Sequence, residues 1–212
     1  MANYYHLFPY VEDKDKLKKL KIDEESSHYI TKRHDATYIS NILVEHIEKY
    51  KSCKKVRLCD MTAGVGGNVL SFAKYFKKII AFEINKKWFD YLNNNINVFE
   101  FKNIKSVNKD CLKIIKRVKK IDIFFVDPPW GGVNYKNIDN IKIKLNNISI
   151  NSLIKIILKK NPKIIAFKLP KNYEYMKIVK KYENHKKINN IFIHKIHNMN
   201  IVILTLIKKI II

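Results

Sequence analysis

Residues 55–68, "KVRLCDMTAGVGGN", predict a strand that turns through glycines into a helix. The apolar run ends at Asp60, and the helical spacing continues through "NVLSFAKYF" (68–76). Three of the chain's five glycines lie in this turn, and the other two lie in "DPPWGG" (127–132). Because glycine tends to be kept where no side chain fits, we expect the backbone of both stretches to come close to another group, and the search for function starts there.

Strands and helices alternate along the rest of the chain. The further predicted strands are apolar runs, at 78–84, 103–110, 121–127, 162–170, 188–196 and 200–212. The predicted helices cover 35–50, 68–76, 85–99, 148–160 and 172–184. This order predicts a three-layer α/β fold with a mostly parallel seven-stranded sheet and an antiparallel strand over 200–207. We expect a short N-terminal extension (1–33) and one domain (34–212).

Composition indicates an intracellular protein with a polyanionic partner. The formal charge of +23 favours nucleic acid, although lysines spread over solvated faces would give the same number. The three cysteines show no metal spacing and are odd in number, which favours a reducing compartment. No run reaches the roughly 18 apolar residues of a membrane span, and no signal peptide is recognisable. We therefore expect a soluble monomer of the cytoplasm or nucleus.

Acidic residues end four successive predicted strands, at Asp60, Glu83, Asp110 and Asp127. In open α/β sheets the ligand crevice lies at the carboxyl ends of the strands. The glycine turn lacks the Lys-Ser/Thr pair of a phosphate loop and fits a dinucleotide fingerprint poorly. A carboxylate at Glu83 suits a ribose, because both ribose hydroxyls can donate to it. Each acid taken alone could instead be a helix N-cap.

The turn and its acids resemble those of class I S-adenosylmethionine-dependent methyltransferases. This resemblance implies a Rossmann-like fold with S-adenosylmethionine as the cofactor. It also implies that the glycine turn approaches the methionine part, that Glu83 holds the ribose and that Asp110 reads the adenine amino group. The implied cofactor-binding residues are Asp60, Thr62, Gly64, Gly66, Asn68, Glu83, Asp110 and Thr31.

The segment Asp127-Pro128-Pro129-Trp130 suits methylation of an exocyclic amine. The prolines remove two N–H donors, so backbone carbonyls here can act as acceptors. A carbonyl at Pro128 and the Asp127 carboxylate can hold the two amine hydrogens, while Trp130 offers a stacking face for the base. Alignment is then the main catalytic device, with no requirement for a metal or a covalent nucleophile. Asp127, Pro128 and Trp130 are the predicted catalytic residues.

The longer motif "PPWGG" followed by Tyr135 resembles the trimethylguanosine synthase family, which methylates N2 of a 7-methylguanosine RNA cap. The segments "YYHLF" (4–8), "DMTAGVGGNVLSFA" (60–73) and "FKLPKN" (167–172) extend the similarity over most of the chain. It implies a capped RNA or a 7-methylguanosine nucleotide as substrate, bound by Trp130, Tyr135 and Lys171. Methylated guanine carries a positive charge, and indole is the best aromatic partner for a cation.

Two departures keep other functions open. Of the family's Ser-Val-Thr-Pro-like run, "HYITKRHDA" (28–36) keeps Thr31 alone. The residue before Pro-Pro is often Ser in the family, and Asp127 also suits adenine-N6 or guanine-N2 methylation within an RNA or DNA strand. A third alternative is a non-catalytic, basic RNA-binding subunit with a relic fold. The intact acids and both glycine stretches argue against it.

Overall fold

The computed structural model describes residues 4–206 of the 212-residue chain. It divides into two compact units, the first ending at Val118 and the second beginning at Lys119. The predicted boundary between an N-terminal extension and a domain, at residues 33 and 34, stays a prediction. None of the helices found within residues 4–206 combines the length and hydropathy needed to cross a bilayer.

The first unit is built on three parallel strands. Its elements are α1 (Lys14–Lys18), α2 (Glu24–Tyr29), α3 (Arg33–Glu48), β1 (Arg57–Asp60), α4 (Gly67–Phe72), β2 (Lys78–Phe82), α5 (Lys86–Val98), β3 (Ile104–Val107) and α6 (Cys111–Ile114). Strand β2 lies between β1 and β3 and pairs in parallel with both. The carboxyl ends of the three strands are therefore at one edge of this part of the sheet.

Local sequence sets where these helices begin and what they cover. Asp23 and Ser26 form a reciprocal capping box at the start of α2, and the Asn85 side chain caps α5 through the Trp88 N–H. Helix α3 buries its apolar face and contacts α4 through a hydrogen bond of 2.7 Å between the Ser40 and Ser71 hydroxyls. These caps and contacts position the chain on both sides of the glycine turn.

The second unit contains the remaining strands and a small hairpin. Its elements are β4 (Ile123–Val126), β5 (Lys144–Leu145), β6 (Ile148–Ser149), α7 (Ile150–Leu158), β7 (Ile164–Pro170), α8 (Met176–Tyr182), β8 (Ile188–Ile196) and β9 (Met199–Leu206). Strand β4 pairs in parallel with β7, whereas β9 runs antiparallel to both β7 and β8. Every residue of β7 is buried, including Lys168.

The predicted sheet is confirmed. It has seven strands in the order β3-β2-β1-β4-β7-β9-β8, and β9 is the antiparallel strand expected near the C-terminus. The part of the predicted 200–212 run beyond Leu206 lies outside the described residues. The sequence prediction did not include the β5–β6 hairpin. The predicted helix over 172–184 begins later, at Met176, because residues 171–175 form a turn.

Candidate active site

The turn after β1 is closed by its own backbone and by the N-terminal segment. Asp60 is fully buried, and its Oδ1 accepts the backbone N–H of Thr62 at 2.9 Å. At Gly67, an added Cβ would lie 2.6 Å from the carbonyl oxygen of Thr31. No side chain fits at that distance, so glycine is required here by the close approach of the segment before α3.

Thr31 and Asn68 were both predicted to bind the cofactor, and they are in direct contact. The Asn68 side-chain amide donates to the Thr31 hydroxyl at 2.9 Å, and both residues are buried. Within residues 4–206, the buried Oδ1 of Asn68 has no hydrogen-bond partner. A buried acceptor that receives no hydrogen bond lowers the stability of the fold, so this oxygen is a candidate to accept a hydrogen bond from a ligand.

Glu83 joins the end of β2 to the glycine turn. Its Oε2 accepts the backbone N–H of Gly64 at 2.8 Å, and its Oε1 accepts that of Asn85 at 2.7 Å. Burial raises the pKa of this carboxyl above its ordinary value of 4.5, while backbone hydrogen bonds from Asn85, Gly64 and Ile84 act in the opposite direction. The carboxylate is thus fixed in orientation before any ligand arrives.

Asp110 and Ile84 lie shortly after the carboxyl ends of β3 and β2. Oδ1 of the half-buried Asp110 accepts the Leu112 N–H at 2.8 Å and so caps α6, which is the structural role that the sequence left open for it. Its predicted contact with adenine stays a prediction. Ile84, which directly follows Glu83, is 60% exposed and presents an apolar surface that sequence reasoning missed.

A buried ion pair holds Asp127. Strands β4 and β7 pair Val126 with Phe167, which brings the residues that follow them, Asp127 and Lys168, side by side. The Lys168 ammonium lies 2.7 Å from Asp127 Oδ2, and the two side chains are 7% and 13% exposed. Lys168 lies in the segment "FKLPKN" (167–172), but the sequence alone did not indicate this pairing.

Trp130 is held from two sides. The Lys168 ammonium lies 4.7 Å from the centroid of the indole, over its face. The Tyr135 ring packs edge-on at a centroid distance of 5.0 Å and an interplanar angle of 73°. Gly131 and Gly132 have φ angles of 90° and 88°, a conformation that side chains other than glycine rarely adopt. The chain can therefore turn sharply directly after the indole.

Trp130 also lines a cavity of about 560 Å³. Its other walls come from the chain on either side of the indole and from the segment that leads into β5, including the first residue of that strand. They are Pro129, Gly131, Ile138, Asp139, Asn140, Ile141, Lys142 and Lys144. Of the three predicted substrate-binding residues, Trp130 lines the cavity and Tyr135 supports it. Lys171 is exposed, and its role stays a prediction.

Asn172 fixes the cavity wall. Its side-chain amide donates to the carbonyl oxygens of Tyr135 and Ile138 at 2.8 and 2.6 Å, and its backbone carbonyl accepts the Ile141 N–H at 3.2 Å. Three hydrogen bonds from one residue hold a segment that has little regular structure of its own. Asn172 is the last residue of "FKLPKN" (167–172), and nothing in the sequence predicted this role. Across the part of the chain described, no group of three or more His, Cys, Asp or Glu side chains is placed to hold a metal ion.

The fold is that of Rossmann-like methyltransferases. The chain is similar to the T. thermophilus 16S rRNA N2 methyltransferase RsmC, solved with AdoMet and guanosine, at a TM-score of 0.59 and 11% identity. The match covers 87% of this chain and 43% of that one. At this identity the likeness establishes the fold alone.

The sequence model of the RNA cap guanine-N2 methyltransferase family matches residues 55–209, and the chain belongs to this family. An uncharacterised protein of Acanthamoeba polyphaga mimivirus is 35% identical over 189 residues, which are 80% of this chain and 73% of that protein. The trimethylguanosine synthase of Schizosaccharomyces pombe is 24% identical over 192 residues, covering 87% and 75%. The predicted family and its general class, RNA methyltransferase, are confirmed.

Proposed function

We propose that this protein transfers a methyl group from S-adenosylmethionine to the exocyclic N2 of a 7-methylguanosine RNA cap. The observation that carries the proposal is that the Trp130 indole lines a cavity. Trp130 follows Asp127 by three residues, and Asp127 directly follows the carboxyl end of β4. A flat aromatic face beside a fixed carboxylate suits a base that presents an amine. The family match from residue 55 to 209 includes both this segment and the glycine turn.

Residues of the first unit fit the cofactor. When bound, S-adenosylmethionine supplies an electrophilic methyl group on a sulfonium. Each oxygen of the Glu83 carboxylate accepts one backbone N–H and keeps a further lone pair, so that two ribose hydroxyls can donate to it. The space beyond Gly64 is open, since an added Cβ there would meet no atom within 4 Å. Asn68 Oδ1 adds an acceptor, and the exposed Ile84 can cover an apolar ring.

Asp127 is proposed to hold the reacting amine. Lys168 donates to Oδ2 and balances the charge, so the carboxylate is oriented without a ligand. A carboxylate accepts hydrogen bonds only, so it binds the hydrogens of an amine and leaves the nitrogen lone pair free to react. Bond formation from the nitrogen to the methyl carbon would break the carbon–sulfur bond of the sulfonium and release S-adenosylhomocysteine. The nitrogen would then carry a positive charge, which Asp127 would stabilise until it accepts the proton.

Trp130 is proposed to bind the base on the part of the indole that Lys168 leaves uncovered. One face of the ring already lies against an ammonium, 4.7 Å from the centroid. The charged 7-methylguanine would therefore share the π electrons with Lys168. We expect the cation–π gain to lie at the lower end of its range, about 0.5–1 kcal/mol, with ordinary stacking supplying the larger part.

A second candidate is adenine-N6 or guanine-N2 methylation within an RNA or DNA strand. The observation that favours it is Asp127 itself, because a carboxylate paired to Lys168 accepts hydrogens from either kind of amine. The two candidates differ in substrate: one requires a 7-methylguanosine nucleotide, and the other an oligonucleotide.

The test is methyl transfer from labelled S-adenosylmethionine to 7-methyl-GTP, GTP and an oligonucleotide that contains adenine and guanine, in parallel. We expect label in 7-methyl-GTP, and an Asp127→Asn preparation that lacks this activity would exclude a contaminating enzyme. Label in the oligonucleotide alone would reject the cap substrate in favour of the second candidate. Label in none of the three substrates, from protein that binds the cofactor, would contradict both.

A further inference from the structure

We propose that Lys142 and Lys144 form a phosphate-binding edge of the Trp130 cavity, which takes the phosphates attached to the stacked base. This inference deepens the proposed function and rests on it, because it takes a nucleotide as the occupant of the cavity. The ligand chemistry is a phosphate oxyanion. It can come from the polyphosphate of a cap or from the RNA backbone beyond it.

The alternation of burial places both lysines on the same side of the chain. Ile141, Ile143 and Leu145 are 6%, 4% and 6% exposed, whereas the two lysines between them are exposed. Successive side chains of an extended segment point to opposite sides. The isoleucines and the leucine face the core, so Lys142 and Lys144 face outward together, and both line the cavity with Trp130.

The backbone under these lysines is held at both ends. The Ile141 N–H donates to the carbonyl of Asn172 at 3.2 Å. Lys144 pairs with Ser149 across the β5–β6 hairpin, and the hairpin turns through Asn146 and Asn147, with φ angles of 46° and 64°. Two central residues with positive φ are characteristic of the tight turn that matches strand twist. The edge is therefore a fixed wall, which lowers the entropy cost of holding a ligand there.

The charge of the cavity lining favours an anion. In the part of the chain that the structure describes, neither Lys142 nor Lys144 has an ion pair or a side-chain hydrogen bond, and Asp139 is the single acid in the lining. Two ammonium groups against one carboxylate leave the lining with a net positive charge. A nucleoside would bind to the indole without using them, whereas its phosphorylated form would engage both surfaces.

The test compares Lys142→Gln/Lys144→Gln with the matched double variant Lys155→Gln/Lys159→Gln. Lys155 is exposed on α7 and Lys159 is exposed directly after its last residue. Both lie outside the cavity lining, and the control variant removes the same charge. Binding of 7-methylguanosine, 7-methyl-GTP and a short capped RNA would be followed by the fluorescence of Trp130 in a Trp88→Phe background. We expect unchanged affinity for the nucleoside and about a 10-fold loss for 7-methyl-GTP in the cavity variant, with no such loss in the control.

The ligand series identifies the source of the phosphate. A loss with 7-methyl-GTP assigns the edge to the polyphosphate, and a loss with capped RNA alone assigns it to the backbone. In the second case the slope of log affinity against log salt should fall by about 0.7 for each lost contact. Affinities equal to those of the parent for every ligand, or the same loss in the control pair, would overturn the proposal.

Asp139 gives an independent check that the cavity lining prefers a negatively charged ligand. Asp139→Asn removes the one negative charge of the lining, so the ratio of 7-methyl-GTP affinity to 7-methylguanosine affinity should rise a few-fold. An unchanged ratio would count against a phosphate at this edge.

The two proposals can fail separately. An uncapped form of the same RNA serves as an additional ligand. If 7-methylguanosine does not bind but binding of the uncapped RNA depends on both lysines, the cap substrate is wrong and the phosphate edge stands. If 7-methylguanosine binds and the affinity for 7-methyl-GTP does not depend on the lysines, the phosphate edge is wrong and the cap substrate stands.

Discussion

The two glycine-bearing turns of this protein are stabilised in different ways. The turn at 60–67 is mostly buried, and its neighbours Asp60 and Glu83 accept hydrogen bonds from its backbone. The turn at 127–132 is more exposed and opens onto a cavity, and Lys168 from another strand holds its first residue. A closed, backbone-bonded turn suits a ligand that is the same in every cycle. An open turn positioned by distant side chains suits a substrate that must enter and leave.

The largest expected effect tests how the second turn is held. Asp127→Ala leaves the buried Lys168 ammonium without its partner, so we expect the free energy of unfolding to fall by about 3–5 kcal/mol. The double variant Asp127→Ser/Lys168→Met removes both charges and should recover most of that loss. Urea unfolding of both proteins provides the measurement. A change of less than about 1 kcal/mol in Asp127→Ala would show that the ion pair does not hold this turn.

The next effect concerns the first turn. Glu83→Ala removes a fixed carboxylate that is proposed to accept the ribose hydroxyls, so cofactor affinity should fall by about 1.5–3 kcal/mol. Calorimetry with S-adenosylhomocysteine measures this loss. Glu45→Ala, on the exposed side of α3, is the control and should leave the affinity unchanged. Equal affinity in the Glu83 variant would mean that the ribose site has been placed on the wrong residue.

Trp130→Ala tests whether the two turns bind different ligands. Because the indole lines the cavity, the variant should lose roughly 1–3 kcal/mol of base stacking. Its affinity for S-adenosylhomocysteine should stay close to that of the parent, since those contacts are assigned to the first turn. The fold should tolerate this change, because the indole N–H is buried with no acceptor among the described residues. Parallel losses of nucleotide and cofactor affinity would indicate that the turns do not act separately.

The smallest effect is a pH dependence. Burial raises the pKa of Glu83 above 4.5, and hydroxyl donors would favour its ionised form. Affinity for S-adenosylhomocysteine should therefore fall as the pH drops through the raised pKa, by no more than tenfold per pH unit. In the free protein the sign is opposite: the free energy of unfolding should fall as the pH rises from 4.5 through that pKa. Glu83→Gln should abolish both trends, and a trend that persists in this variant would assign it to another group.

The first turn could be predicted from sequence because its signals are local. An apolar strand, clustered glycines and an acid after the next strand are all visible within residues 55–83. The same reasoning located β9, whose apolar run is long enough to be recognised. It also predicted that Thr31 binds the cofactor, but only because the resemblance implied it. The contact with Asn68 depends on how the N-terminal segment packs.

The second turn could be predicted only in part. Asp127 and Trp130 were visible as a motif, but Lys168 is 41 residues from Asp127, and their contact depends on the register of β4 against β7. Asn172 was equally hidden, since its hydrogen bonds go to backbone carbonyls that any residue has. The β5–β6 hairpin did carry a signal: "IKIKLNNISI" (141–150) alternates around Asn-Asn, which is typical of a tight hairpin.

The most direct measurement is the quenching of Trp130 fluorescence by 7-methyl-GTP and by GTP. The chain has two tryptophans, so a Trp88→Phe background leaves the signal to Trp130. If the substrate is a methylated cap base stacked on the indole, 7-methyl-GTP should bind more tightly by about 0.5–1 kcal/mol, roughly two- to fivefold. Equal quenching constants for the two nucleotides would contradict a cap base on Trp130.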